Sequence, residues 1–83
     1  MANSNVILQW NCRGLINKRD ELSDLINEYS PIIICLQETL LSPEIERMQN
    51  NKENLPSVVN FKGYKGYFKC KYVSFMSDRL EIG

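Results

Sequence analysis

The chain has 83 residues, enough for one small domain or part of one and too few for two. Ten basic and ten acidic residues cancel, so no whole-chain field draws it to nucleic acid or acidic lipid, and any such attraction has to be local. Histidine is absent, which excludes Ser-His-Asp, Cys-His and His-metal chemistry within the chain.

A hydrophobic content of 43% with 24% charged residues marks a folded globular composition. At this length folding buries only roughly 60 to 65% of the unfolded surface, so the core is marginal. Cys12, Cys35 and Cys70 are odd in number, far apart and outside any C-x-x-C pair, so they read as reduced thiols with no disulfide partner. Met1 to Gln9 carries no secretory pattern, and no apolar run approaches the roughly 18 residues of a membrane helix. The expectation is a soluble intracellular protein, in the nucleus or the cytoplasm, with no membrane contact.

In chain order, Val6 to Asn11 is apolar and rich in β-formers, and predicts a strand buried on at least one face, broken at Gly14. Leu22, Leu25, Ile26 and Tyr29 then fall at helical spacing, with Lys18, Arg19, Asp20, Asp24 and Glu28 on the other face. Asn17 is placed to cap this amphipathic helix, Asp20 and Glu21 suit its positive end, and Pro31 stops it after Ser30. Ile32 to Gln37 is a second apolar strand with successive β-branched residues, the pattern of a strand covered on both faces.

Strand, helix and strand in so short a span form a βαβ unit with parallel strands. If these strands are neighbours, Asn11 and Glu38 emerge together at their carboxyl-end rim, where open α/β sheets bind ligands. Pro43 to Met48 predicts a short helix behind Ser42, and Asn50 to Ser57 a polar loop. The aromatic and β-branched stretch from Phe61 to Phe75, interrupted by Gly63 and Gly66, predicts one or two further strands.

The amide of Asn11 and the carboxylate of Glu38 are hard oxygen donors of the type that holds Mg²⁺. By spacing alone they are equally ordinary polar rim residues. The wording around them adds more: Leu8-Gln9-Trp10-Asn11-Cys12-Arg13-Gly14, the helix segment Lys18 to Ile26, and Ile33-Ile34-Cys35-Leu36-Gln37-Glu38-Thr39. Together these resemble the opening of the endonuclease/exonuclease/phosphatase superfamily, most closely the apurinic-endonuclease-like domain of non-LTR retrotransposons. The resemblance covers residues 6–41, with a weaker echo at 61–64 (Phe-Lys-Gly-Tyr).

That resemblance implies an incomplete α/β domain over residues 1–83: an N-terminal βαβ unit plus a partial strand pair of a four-layer α/β sandwich. It implies that Asn11 and Glu38 ligate a catalytic Mg²⁺ or Mn²⁺ and that the substrate is DNA, nicked by phosphodiester hydrolysis. The family's distal Asp-x-Asn and Ser-Asp-His motifs have no counterpart here. Ser77-Asp78-Arg79 arrives too early and carries arginine in place of histidine. The implied protein is therefore a fragment, from a transposon-derived reading frame, inactive alone and poorly soluble because apolar sheet faces are left open.

The alternative is a non-catalytic nucleic-acid-binding module. Lys62, Lys65, Lys69 and Lys71 run among aromatic residues over 61–72 with no acidic residue, and Arg13 beside the first motif could touch phosphate. Strands that alternate core aromatics with exposed lysines produce the same pattern for structural reasons. Cys12, Cys35 and Trp10 read as packing residues.

Overall fold

In the computed structural model, which describes residues 6–69 and 71–80, the apolar segments near the N-terminus pair as expected. β1 (Ile7–Asn11) lies parallel to β2 (Ile33–Gln37), with Ile7 opposite Ile33 and Asn11 opposite Gln37. α1 (Arg19–Tyr29) joins them, preceded by a 3₁₀ turn at Ile16–Lys18. α2 (Pro43–Asn50) and a second 3₁₀ turn (Ser57–Val59) lead to the hairpin of β3 (Tyr64–Phe68) and β4 (Tyr72–Ser77). The four-stranded sheet has the order β1-β2-β4-β3, with β4 antiparallel to both neighbours. This is the expected α/β class, a βαβ unit followed by a strand pair.

The core lies on one face of the sheet, under α1 and the loops. Ile34 and Leu36 of β2, Val73 and Phe75 of β4, Leu22 of α1, and Leu15, Val59 and Cys12 are all essentially inaccessible. Phe75 is the centre: its ring meets Phe61 edge-on at 5.2 Å and Phe68 at 5.9 Å, the geometry favoured by the aromatic quadrupole. Gly66, opposite Phe75 in the ladder, makes that possible, because a Cβ there would sit 2.8 Å from the Phe68 ring and 2.9 Å from the Phe75 ring.

Five expectations are corrected. β1 is buried on neither face: as an edge strand it keeps Leu8 and Trp10 half-buried and Ile7, Gln9 and Asn11 exposed. Asn17 does not cap α1: the chain turns earlier, through a Lys18 N–H to Leu15 carbonyl bond of 3.0 Å, so Lys18 takes the cap position and makes no side-chain cap bond. Tyr29 does not belong to the buried stripe and is 48% exposed, because the helix ends there with left-handed Ser30. β2 is not covered on both faces. Ile34 and Leu36 are sealed, whereas Ile33, Cys35 and Gln37 on the other face are only partly covered among the described residues. Arg19 is not a solvated helix-face charge. Its guanidinium donates to the carbonyls of Val58 (3.1 Å), Ser57 (3.4 Å) and Asn60 (3.3 Å) and lies over the Phe61 ring, pinning the loop that closes the core. Ser42 does occupy the cap of α2, but its hydroxyl makes no cap bond.

α2 contributes through Gln49. Its amide donates to the Gly66 carbonyl at 2.6 Å, while its oxygen accepts the Phe68 N–H at 2.8 Å. β3 is an edge strand, and these two groups point away from β4, so one side chain substitutes for a missing neighbour strand. Gln49→Ala is expected to lower unfolding stability by about 1 to 2 kcal/mol in a urea titration, from two lost bonds at a partly buried edge. A midpoint unchanged within error would mean that water replaces Gln49 without cost.

Candidate functional site

β1 and β2 end together because their register puts Asn11 beside Gln37. The ladder then continues beyond the strands: Cys12 N–H bonds the Gln37 carbonyl (3.1 Å), Gly14 N–H the Glu38 carbonyl (2.9 Å) and Leu15 N–H the Thr39 carbonyl (2.9 Å). The two connecting segments run side by side as a backbone-bonded rim.

On this rim Arg13, Glu38 and Leu40 hold left-handed backbone angles, with φ of 50°, 52° and 56°, and Gly14 has φ of 109°. Such angles cost on the order of 1 kcal/mol each for non-glycine residues and persist where the surroundings over-determine them. Here Glu38 is turned back over the end of β1. The Asn11 Nδ2 donates to Glu38 Oε2 at 2.5 Å, across 27 residues of sequence, and both side chains are exposed. The structure thus brings the two predicted residues into direct contact.

Beneath them the rim is buried. Thr39 is 1% exposed, and its Oγ1 has no hydrogen-bond partner among the described residues. Cys12 is buried, its thiol donating to the Gln37 carbonyl at 3.6 Å. Burial pushes the Cys12 thiol above the ordinary thiol range, against the lowering effect of nearby backbone N–H groups and Lys18. Lys18 instead approaches the Trp10 ring at 5.9 Å, and Trp10 packs on the core, as expected for it.

The donor set is two hard oxygen groups, an amide and a carboxylate, open to solvent. Among the described residues no cluster of three or more His, Cys, Asp or Glu side chains could hold a metal ion. Two such donors suit Mg²⁺, which keeps several waters and takes one or two protein ligands, and do not make a closed structural metal cage.

The other predicted residues scatter. Arg13 is exposed on the rim beside Asn11. Lys62 goes to the opposite end of the sheet, where it lines a hollow with Asp78 and Arg79. Ser77-Asp78-Arg79 has a structural use there: Ser77 Oγ accepts from the Arg79 backbone and guanidinium, both at 3.1 Å, and Arg79 reaches the Ser30 carbonyl at 2.7 Å. Lys65, Lys69 and Lys71 are exposed, and Lys65 and Lys69 line a separate cavity. Cys12 and Cys35 are free thiols, while Cys70 lies outside the described residues. No helix among the described residues is long and apolar enough to cross a membrane.

The fold is of the α/β class, with a polar pair at the carboxyl ends of two adjacent parallel strands. The family is narrower. The sequence profile of the Endonuclease/Exonuclease/phosphatase family matches residues 8–79, most of the chain, and the chain belongs to that family. Comparison with curated proteins gives no match.

Three outcomes follow from the rim. Iodoacetamide is expected to label Cys12 at least tenfold more slowly than Cys35 in the folded chain at mildly alkaline pH, with the difference abolished in urea, as read by peptide mapping. Because the folded-state thiol of Cys12 binds its proton more tightly than the unfolded one, its contribution to stability is full below the unfolded thiol's pKa. That contribution is lost as pH rises through the raised folded value. Thr39→Val, which removes the unpartnered hydroxyl without changing shape, is expected to raise stability by about 1 kcal/mol in a urea titration; a loss of that size would show that Oγ1 has a partner in solution.

Proposed function

We propose that the chain is the amino-terminal part, over residues 1–83, of a divalent-metal-dependent DNA endonuclease of the retrotransposon type, and that Asn11 and Glu38 hold its Mg²⁺ or Mn²⁺. The observation that carries this reading is the direct contact of the Asn11 amide and the Glu38 carboxylate on a strained, backbone-bonded rim. Family membership adds a nuclease or phosphatase ancestry. DNA as substrate and the retrotransposon type rest on the wording of the first motif and of Gln37-Glu38-Thr39.

In this reading Glu38 supplies the negative charge and Asn11 a neutral oxygen, with the amide turned so that Oδ1 faces the ion. A divalent ion held by Asn11 and Glu38 would supply Lewis-acid polarisation of a phosphoryl oxygen and charge stabilisation at the leaving oxygen. The left-handed backbone at Glu38 turns its side chain back over the end of β1, beside Asn11. Proton transfer has no carrier of the usual kind, since the chain has no histidine. A base and a nucleophile-orienting group have to come from residues other than these 83, and their loss typically costs several orders of magnitude in rate. The chain alone is therefore inactive in this reading.

Mn²⁺ titration followed by electron paramagnetic resonance tests the metal assignment. Weak binding that falls at least tenfold in Glu38→Ala and several-fold in Asn11→Ala is expected; affinity unchanged in both variants would overturn it. Nicking of supercoiled plasmid by the chain in Mg²⁺ is expected to stay at the level of Glu38→Ala. Nicking above that level would overturn the inactive reading while supporting the metal site.

A further inference from the structure

The free edge of β3 is closed by a side chain acting as a strand. Lys69 N–H turns toward β4, bonding the Tyr72 carbonyl at 2.9 Å, so by alternation the backbone groups of Tyr67 face β4 and those of Gly66 and Phe68 turn outward. Gln49 meets them from α2: its amide nitrogen donates to the Gly66 carbonyl at 2.6 Å and its oxygen accepts the Phe68 N–H at 2.8 Å. A residue of a parallel neighbouring strand, level with Tyr67, would make the same pair of bonds through its own N–H and C=O. The edge thus has the donor and acceptor pattern of a peptide group, and the side-chain amide stands in for one. Phosphodiester oxygens accept but do not donate, so a nucleic-acid backbone would leave the Gly66 carbonyl unmatched.

Little holds this plug in place. α2 has no buried residue and no side-chain cap bond at its start, and Ile45 is only partly covered against the core. Elements with so little buried apolar surface open locally at low cost.

Charge selects what enters. A hollow of about 530 Å³ between the end of α2 and the edge of β3 is lined by Lys52, Lys65 and Lys69 beside Gln49, with no acidic side chain among its walls. In a chain of zero net charge, these cations make a local positive field that favours an anionic partner. Register then fixes where the negative groups belong. If a peptide residue takes the place of Gln49 level with Tyr67, the residues two before and two after it stand level with Lys65 and Lys69 on the same face. Carboxylates at those two positions pair with the lysines, and a β-branched residue between them packs on the exposed Tyr67 ring. The added strand lies in the plane of the sheet, so a layer packed on the open sheet face does not take its place.

We propose that the edge of β3, with Lys52, Lys65 and Lys69, is the docking site for an extended acidic segment of a partner protein, which displaces the Gln49 side chain and adds to the sheet parallel to β3. The site goes beyond the proposed function and uses neither the Asn11–Glu38 pair nor a metal ion.

The test is fluorescence anisotropy of a fluorescein-labelled peptide, Ser-Glu-Thr-Val-Thr-Glu-Ser, titrated with the full chain in EDTA. Methylating the backbone nitrogen of the central valine, which removes the donor to Gly66, is expected to weaken binding at least tenfold. The Lys52→Glu, Lys69→Glu double variant, changed only outside the helices and strands, should bind at least tenfold more weakly. It should also bind Ser-Lys-Thr-Val-Thr-Lys-Ser more tightly than the wild type does. Gln49→Ala should bind the acidic peptide about three- to tenfold more tightly, despite its lower stability, because no side chain has to be displaced. Equal affinity for the methylated and unmethylated peptides overturns the proposal, as does affinity unchanged by the charge reversal or no gain in Gln49→Ala. Lysine-dependent binding of an oligothymidylate without binding of the acidic peptide also overturns it. The methylation comparison uses the unaltered chain, so it decides even where Gln49→Ala does not fold.

Discussion

The parallel ladder between β1 and β2, carried past the strand ends by three more backbone bonds, is the constraint from which the rest follows. Two strands in register bring Asn11 and Gln37 level, and the extra bonds hold Glu38 and Thr39 against Gly14 and Leu15. Leu15 and Cys12 are thereby drawn into the core instead of fraying from a loop, so the site's supporting backbone and the fold's hydrophobic centre share the same residues. A change in the packing under the rim, at Leu15, Leu36 or Thr39, moves the carboxylate as well as the stability. The candidate site is thus positioned by backbone geometry more than by contacts of the two side chains themselves.

The β3–β4 hairpin supplies what the βαβ unit lacks. β4 enters beside β2 and contributes Val73 and Phe75 to the core, while β3 is left as the edge and is blocked by Gln49. The opposite sheet face is open, with Ile7 61% exposed and Tyr67 and Tyr72 unburied. That half-covered sheet agrees with the expectation of apolar sheet surface left open, and the four-layer arrangement implied by the sequence resemblance would cover it with a second sheet. Sheets of this size normally bury at least one face fully and often both when parallel. Here the helix side seals Ile34, Leu36, Val73 and Phe75 but leaves Leu8 and Trp10 of β1 half-buried.

Local periodicity was enough to read β1, α1, β2 and α2 from the sequence, because each rests on spacing within about a dozen residues. The Asn11–Glu38 contact was legible for a related reason: two strands of equal length in parallel register end level. What could not be read depends on partners far along the chain. Arg19 looks like a solvated helix charge until the carbonyls some forty residues away close on it. Gln49 gives no sign of serving a strand seventeen residues later. Asn17 misled because its capping chemistry is right but a 3₁₀ turn moves the helix start past it. Tyr29 fell on the apolar stripe by arithmetic while the helix ended beneath it.

The placement of strain argues for the same rim on independent grounds. Three non-glycine residues with left-handed backbone cluster within the two short segments that follow β1 and β2. At on the order of 1 kcal/mol apiece, that is a large cost for so small a core. Relaxing Glu38 to an ordinary extended angle would recover part of it, but would swing the carboxylate off Asn11 and break the alignment that buries Thr39 and Leu15. A connecting segment selected for stability alone would use glycine at these positions, as Gly14 does at φ of 109°. Glycine at position 38 would remove the carboxylate. Backbone comfort and side-chain chemistry therefore conflict at that one residue, whereas the other left-handed non-glycine positions, Ser30 at the end of α1 and Lys52 after α2, lie outside the rim.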